Sequence, residues 1–394
     1  VLKRCARTGN PLNRVSFLRP DHAFLAAALK HSTTSFLLFD ALNPLTKNPS
    51  ELAFVKYDDV KPIIGDNVYG DATEEDYIKA YNSSTYIPQL VFLGLDEKRD
   101  GFVYKEHYKG APYFALDVTP KNHVKEAADA VIAKFKDQGL SFAEGRMNLS
   151  LNAPHAAIYA EARHVLDWNG RNPFCAGCGQ PTLSVNSGWK RACPPTDFAS
   201  LDSTAQVTTP ETPRDRASCA TRHGISNLSF PRTDPTVIMA VVSADGSKIL
   251  LGRQKRWPEY WYSTLAGFLE PAESVEEAVR REVWEESGIH LGRVVIHSTQ
   301  PWPYPANLMI GAIGQATPEG ETVHLGHDAE LEDAKWFTAE EVREALRVGT
   351  SGLGEAAGPG YKEGNLRLPP ATAIAHQLLS GVVNSGFLAG VVKI

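Results

Sequence analysis

The chain has 394 residues, 43% of them hydrophobic and 22% charged, with a formal net charge of −6. These are values of an ordinary globular chain of two or three domains, and they exclude a broad basic surface for nucleic acid. No apolar run reaches the length of a membrane span and the amino end shows no charged-then-apolar export signal, so no membrane partner is expected.

Between Phe36 and about Val118 the chain reads mostly as short strands: SFLLFD, LAFVKY, QLVFLGL, GFVYKEHY and YFALDV. A helix follows in KNHVKEAADAVIAKFKDQG, where Val124, Ala127, Ala128, Val131, Ile132 and Phe135 keep helical spacing and Gly139 is the expected stop. A second helix is predicted from near Pro154, with Ile158, Ala162, Val165 and Leu166 on its apolar side and an end before Gly170. Residues 1–170 are therefore taken as an amino-terminal α+β domain.

The cysteines begin immediately afterwards. Five in the whole chain do not make a disulfide scaffold, and four of them cluster, which reads as a metal site in a reducing compartment. FCAGCG places Cys175 and Cys178 on one knuckle, and Cys193 follows after fourteen residues. A second Cys-x2-Cys is absent; Cys219 lies beyond twenty-five further residues that are rich in Ser, Thr, Pro and Asp. Residues 194–218 read as a flexible insertion within the second knuckle, which makes Cys219 the fourth thiolate of a closed, structural Zn²⁺ site. His223 is the rival fourth ligand, and the plainer alternative is that Cys193 and Cys219 are unrelated buried thiols. The ribbon with its insertion spans 171–233.

From 234 to 394 the pattern alternates. TVIMAVVSADGSKILLGRQ is a hairpin turning at Asp245-Gly246, and a glutamate-rich helix, a strand near Leu308–Gln315, a helix from Thr338 and a last helix in PATAIAHQLLSGVV follow. This is a mixed α/β domain, and no internal repeat is visible in the chain.

The segment GFLEPAESVEEAVRREVWEESGI concentrates the chemistry. Ser274 and Glu277 fit a capping box, Gly288 is a stop, and Val275, Ala278, Val279 and Val283 form the anchoring stripe. Glu282 and Glu286 share one face with Glu285 beside them, Gly267 allows a tight loop before the helix, and Glu273 can turn back over it. Clustered carboxylates are hard oxygen ligands suited to Mg²⁺ or Mn²⁺, whereas the bland reading is a solvated acidic helix partly neutralised by Arg280 and Arg281. The spacing favours the former: glycine, five residues, Glu273, seven residues, then REVWEESGI resembles the Nudix box at each defined position.

That resemblance implies a Nudix α/β/α sandwich with a mixed sheet and a hydrolase that splits a nucleoside diphosphate linked to another group. It makes Glu282 and Glu286 metal ligands, Glu285 a ligand or base, and Arg281 the residue that holds them. A later acidic ligand is expected in HDAELEDAKWF, where Glu330 is preferred to Glu332 and a plain surface charge is the alternative.

STQPWPYPANLM, from Ser298, interleaves three prolines with Trp302 and Tyr304 and is expected to be a stiff loop rather than a central strand, able to present an aromatic face or to fill a hydrophobic corner. It resembles the specificity array of NADH pyrophosphatases, Gln-Pro-Trp-Pro-Phe-Pro-x-Ser, with Gln300 and Trp302 kept, Tyr304 in place of Phe and Asn307 in place of Ser. The resemblance adds Phe268 and Phe230 as rings around the nicotinamide and Ala266 and Ala375 as substrate-lining positions. The same family carries a zinc ribbon directly before its Nudix domain, and FPRTDPTVIM resembles its junction.

The resemblance therefore implies hydrolysis of NADH or NAD⁺ to nicotinamide mononucleotide and AMP, or removal of an NAD cap from RNA 5′ ends by the same site. It also implies a homodimer and an intracellular setting, cytoplasmic or peroxisomal. A nucleotide sensor without catalysis would be expected to have lost box glutamates, and this chain keeps them all.

Overall fold

The computed structural model describes residues 10–144, 150–199, 212–223, 227–327 and 330–389. The chain forms two compact units, one over Asn10–Arg232 and one over Thr233–Ile394.

In the first unit the elements run α1 (His22–Lys30), β1 (Ser35–Asp40), β2 (Asn43–Asn48), β3 (Glu51–Leu52), α2 (Tyr57–Ile64), α3 (Glu74–Lys79), β4 (Leu90–Asp96), β5 (Phe102–Tyr104), β6 (Tyr108–Asp117), α4 (Lys125–Asp137), β7 (Ser141–Phe142) and α5 (Ala153–Arg171). The sheet order is β3-β2-β1-β6-β4, with β5 on β6 and β7 on β2. β1 and β6 are parallel, Leu37 opposite Ala115, and the other pairings are antiparallel. Side chains alternate along a strand. Phe36, Leu38, Phe114 and Leu116 face a core shared with Phe24 of α1, Val60 of α2 and Val131 of α4. Phe39 faces the other way, its ring stacked 6.1 Å from that of Tyr159 on α5.

Three expectations need correction here. LAFVKY is not a strand beyond Leu52: Val55 makes only an isolated bridge to Phe36, and Tyr57 opens α2, whose Asp59 accepts from the Lys56 N–H at 2.9 Å. GFVYKEHY is a hairpin rather than one strand, turning where Lys105 and Glu106 take φ of 46° and 62°. Helix α5 continues through Gly170 to Arg171.

The ribbon contains β8 (Leu183–Val185) paired with β9 (Lys190–Ala192), and β10 (Thr196–Asp197) paired with β11 (Arg214–Asp215). The insertion is thus ordered at both ends, which form an antiparallel stem; residues 200–211 lie outside the described residues. Asp197, 1% exposed, accepts from the Ser83 N–H at 2.9 Å, the Ser83 hydroxyl at 2.7 Å and Arg216 Nη2 at 2.5 Å. The ribbon is knit to the first sheet by Trp189 Nε1, which donates to the Phe92 carbonyl at 2.8 Å, and to α5 by Asn169 Nδ2, which donates to the Gly188 carbonyl at 2.7 Å.

The second unit runs β12 (Asp234–Val242), β13 (Lys248–Arg253), β14 (Leu265–Phe268), α6 (Val275–Ser287), β15 (Leu291–Trp302), β16 (Asn307–Ala316), β17 (Asp333–Thr338), α7 (Ala339–Val348) and α8 (Ile374–Ala389). The order is β15-β16-β12-β13-β17, with β14 on β12; β12 and β16 are parallel and the rest antiparallel. Val237, Met239 and Val241 of β12 pack with Val279 and Val283 of α6. The alternate residues Ile238, Ala240 and Val242 pack with Val342 of α7 and Leu378 of α8. The result is the three-layer α/β/α sandwich with a mixed sheet that the resemblance implied. Ser298–Trp302 is a strand, contrary to expectation: β15 is the edge of the sheet, where a proline's missing N–H is tolerated, and only residues 303–306 form the turn to β16. Among the described residues no helix is long and apolar enough to cross a membrane.

Candidate active site

Helix α6 is built as its sequence requires. The Ser274 hydroxyl accepts from the Glu277 N–H, Glu277 returns to the Ser274 N–H at 2.8 Å, and Gly288 closes the helix at φ 72°. With Val279 and Val283 fully buried beneath it, the helix cannot rotate without exposing core, which fixes the direction of its acidic face.

Arg281 organises that face. Its Nε and Nη2 reach the two oxygens of Glu273 at 2.7 and 2.9 Å, its Nη1 donates to Glu282 Oε1 and Glu285 Oε2, each at 2.9 Å, and Nη2 also donates to the Phe268 carbonyl at 2.8 Å. One planar guanidinium thereby orients three carboxylates and a strand end, a geometry lysine does not reproduce. The hydrogen bonds to Glu273 raise Arg281 further above its usual value, and Arg281 in turn lowers Glu273. Glu282 moves the other way: burial raises it, Arg281 opposes, and the like charges of Glu285 and Glu330 add to the rise. Glu286 is 4% exposed.

Gly267 is needed for space rather than for a tight turn. It lies in β14 opposite Val237, without the positive φ that a turn glycine takes, and a Cβ there would stand 2.0 Å from the Glu282 carboxyl. Glu330 is exposed and contributes to the field at Glu282, whereas Glu332 is engaged by Arg253. These residues suit a hard divalent cation: the donors are carboxylate oxygens, and like charges crowd beside a desolvated one.

The residues of the aromatic array separate into two groups. Ala266, Trp302 and Ala375 join one apolar cluster with Leu378, and Tyr304 lies 5.5 Å from Trp302, ring to ring. Phe268 is 54% exposed. Gln300 is 0% exposed; its Nε2 donates to the Thr372 carbonyl and its Oε1 accepts from the Ile374 N–H, both at 2.9 Å. Gln300, predicted to contact substrate, thus ties the strand to the start of α8 through both ends of its buried amide. Asn307 also turns inward, donating to Thr236 Oγ1 at 3.1 Å. Phe230 belongs to the first unit, where Lys190 Nζ stands 5.7 Å over its ring. Nothing in the sequence separates a buried glutamine from a ligand-facing one; the later pairing with the backbone at 372–374 decides it.

The four cysteines converge. Their Sγ atoms all lie within 4.8 Å of one another, with Cys175 3.7 Å from Cys219 and Cys178 3.5 Å from Cys193. Thiolates about 2.3 Å from a tetrahedral Zn²⁺ stand about 3.8 Å apart, so the set fits that ion. His223 is exposed and outside the group. The β10–β11 stem returns the chain so that Cys219 meets Cys193.

A capped, Arg-organised glutamate helix under a mixed α/β/α sheet defines the Nudix class of hydrolases. Residues 232–353 match the model of the NUDIX domain, 33–168 that of the NADH pyrophosphatase-like rudimentary NUDIX domain, and 171–197 that of the NADH pyrophosphatase zinc ribbon domain. The chain is 34% identical over 391 residues to an NAD-capped RNA hydrolase of Saccharomyces cerevisiae, covering 94% of this chain and 93% of that one. It is also 34% identical over 343 residues to an NAD-capped RNA hydrolase of Schizosaccharomyces pombe, covering 86% and 84%. With a human mitochondrial NAD(P)H pyrophosphatase it shares 33% over 244 residues, 61% of this chain and 58% of that one. The chain belongs to the NADH pyrophosphatase-like family of Nudix hydrolases.

Proposed function

We propose that this hydrolase cleaves the diphosphate of NAD(H), free or as the cap of an RNA 5′ end, into a nicotinamide mononucleotide part and an adenosine monophosphate part. The observation that carries the reading is the Arg281-held pair of Glu282 and Glu285, with Glu282 packed against Gly267, in a chain with the family's ribbon and first domain. Water attacks one phosphorus, the phosphoanhydride P–O bond breaks, and the other nucleotide leaves with the bridging oxygen. Glu282, Glu286 and Glu330 would hold Mg²⁺ or Mn²⁺, and Glu285 would either join them or take the proton of the attacking water. When bound, the cation offsets diphosphate charge and acidifies water. Arg281 keeps the carboxylates in place, and the exposed ring of Phe268 offers a face for a flat base. Tyr304 and Trp302 would line the nucleotide's path, with Ala266 and Ala375 behind them.

A homodimer in the cytoplasm or peroxisome belongs to the same proposal, and four thiols gathered for zinc suit a reducing compartment. The deciding experiment is a competition among NADH, NAD⁺, ADP-ribose, a dinucleoside polyphosphate and a short NAD-capped RNA, with Mg²⁺ or Mn²⁺ and mass-spectrometric readout. NADH, NAD⁺ or the capped RNA should be consumed first, and early loss of ADP-ribose overturns the substrate class.

A further inference from the structure

Trp284 stands within the glutamate run yet is 39% exposed, an unusual place for a large aromatic ring on a solvent-facing helix. It lies two residues after Glu282, about 200° around the helix, and so off the carboxylate face. Its ring is covered by His327, stacked with centroids 4.3 Å apart and planes 26° apart. The His324 ring closes on His327 at 4.7 Å. The backbone follows: the His324 N–H donates to the Ser287 carbonyl at 2.8 Å. Both nearby glycines are spaced for this contact, since a Cβ on Gly288 would stand 2.8 Å from the His324 Cβ, and one on Gly326 2.7 Å from His324 Nε2.

Beyond Glu330 the chain is pinned again, to β13. Leu331 packs on Gly252, where a Cβ would meet its Cδ1 at 2.8 Å, and the Glu332 N–H donates to the Arg253 carbonyl at 2.9 Å. Glu330 thus stands in the chain between His324 and His327, held to α6, and Leu331 and Glu332, held to β13.

We propose that Trp284 and His327 are positioning residues: their stack fastens the segment bearing Glu330 to α6 and so holds that carboxylate in the cation-binding set. The inference rests on the reading of Glu330 as a ligand given above.

The test uses the full chain and measures Mn²⁺ affinity by electron paramagnetic resonance without substrate, then kcat and the KM for NADH at saturating metal, with thermal melting as the folding control. Trp284→Ala and His327→Ala should each weaken Mn²⁺ binding about tenfold, in the range for outer partners of metal ligands. The KM for NADH should stay within about twofold, since the stack touches no substrate. His327→Phe keeps a ring on Trp284 and should bind Mn²⁺ like the parent, which preserves the test where the alanine variants melt early. Glu330→Gln should weaken binding too, and Trp284→Ala should add nothing further in that background. If Glu330→Gln leaves Mn²⁺ affinity unchanged, the ligand assignment falls and the positioning role with it. If Glu330→Gln weakens binding but Trp284→Ala is silent, or its effect adds in full, the positioning role alone is overturned.

Discussion

At Gly267 the loss of a single hydrogen atom to a methyl group should be felt in the chemistry. Its Cβ would lie 2.0 Å from the Glu282 carboxyl, so Gly267→Ala must displace either the strand or that carboxylate. We expect turnover to fall at least about tenfold with zinc content unchanged, because misplacement by about 1 Å is costly in a positioned site. Parent-like turnover in that variant would show the close approach to be irrelevant. Glu282→Gln removes a proposed ligand outright and should lower kcat by more than the roughly 10–100-fold loss expected of an outer partner such as Arg281→Lys. A Glu282→Gln enzyme close to the parent in kcat contradicts the metal assignment. The box spacing and the caps were legible because they are local: Ser274, Glu277 and Gly288 act within one turn of their position. Gly267 and Gln300 were legible only as residue types. Their reasons, a carboxylate pressed against a strand and a backbone N–H seventy-four positions away, are tertiary.

The elements show the same boundary between local and distant causes. Long periodic helices such as α4 and the glutamate-rich α6 announced themselves, whereas α2 and α3 are short and partly polar, and their capping residues Asp59 and Thr73 were the available signal. The ribbon's stem was hidden because its strands have two residues each and depend on Asp197 meeting both Arg216 and, from the preceding fold, Ser83. Burial tends to raise Asp197, but the Ser83 N–H, Arg216 and the Ser83 hydroxyl outweigh it and hold the carboxyl down at about 2. A depressed carboxylate stabilises the fold fully above its unfolded value near 3.9, and that contribution is lost as pH falls through about 2. The parent should therefore lose melting temperature more steeply between about pH 4 and pH 2 than Asp197→Asn, which starts lower at neutral pH. Parallel slopes for the two proteins would remove the linkage. The thiolate set gives a sharper contrast: Cys219→Ser should lose bound zinc, while His223→Ala should keep one ion per chain by elemental analysis. Zinc lost from the histidine variant instead would exchange the two assignments.

For the molecule as a whole, the two metals should act on different units. The four thiols belong to Asn10–Arg232 and the glutamate helix to Thr233–Ile394. A ligand stabilises the part whose folded form it binds. Calorimetry should show that removing zinc lowers one transition and adding Mn²⁺ raises another; equal movement of both would mean that the units unfold as one. The first unit also explains why no repeat was visible in the sequence. Residues 33–168 match a rudimentary NUDIX model, and both sheets pair one parallel couple, β1 with β6 and β12 with β16, amid antiparallel neighbours. The first copy has no glutamate run like that of α6, so backbone topology persists where the side chains that would advertise it do not.

The two-residue ladder between Thr196–Asp197 and Arg214–Asp215 carries a practical implication. It returns the chain to the fourth thiolate from a stem anchored by Asp197 on Ser83 and Arg216, described residues outside 200–211. An epitope inserted between Ala199 and Thr212 should therefore leave zinc content and turnover unchanged, and zinc lost with the insertion would show that the stem does not form by itself.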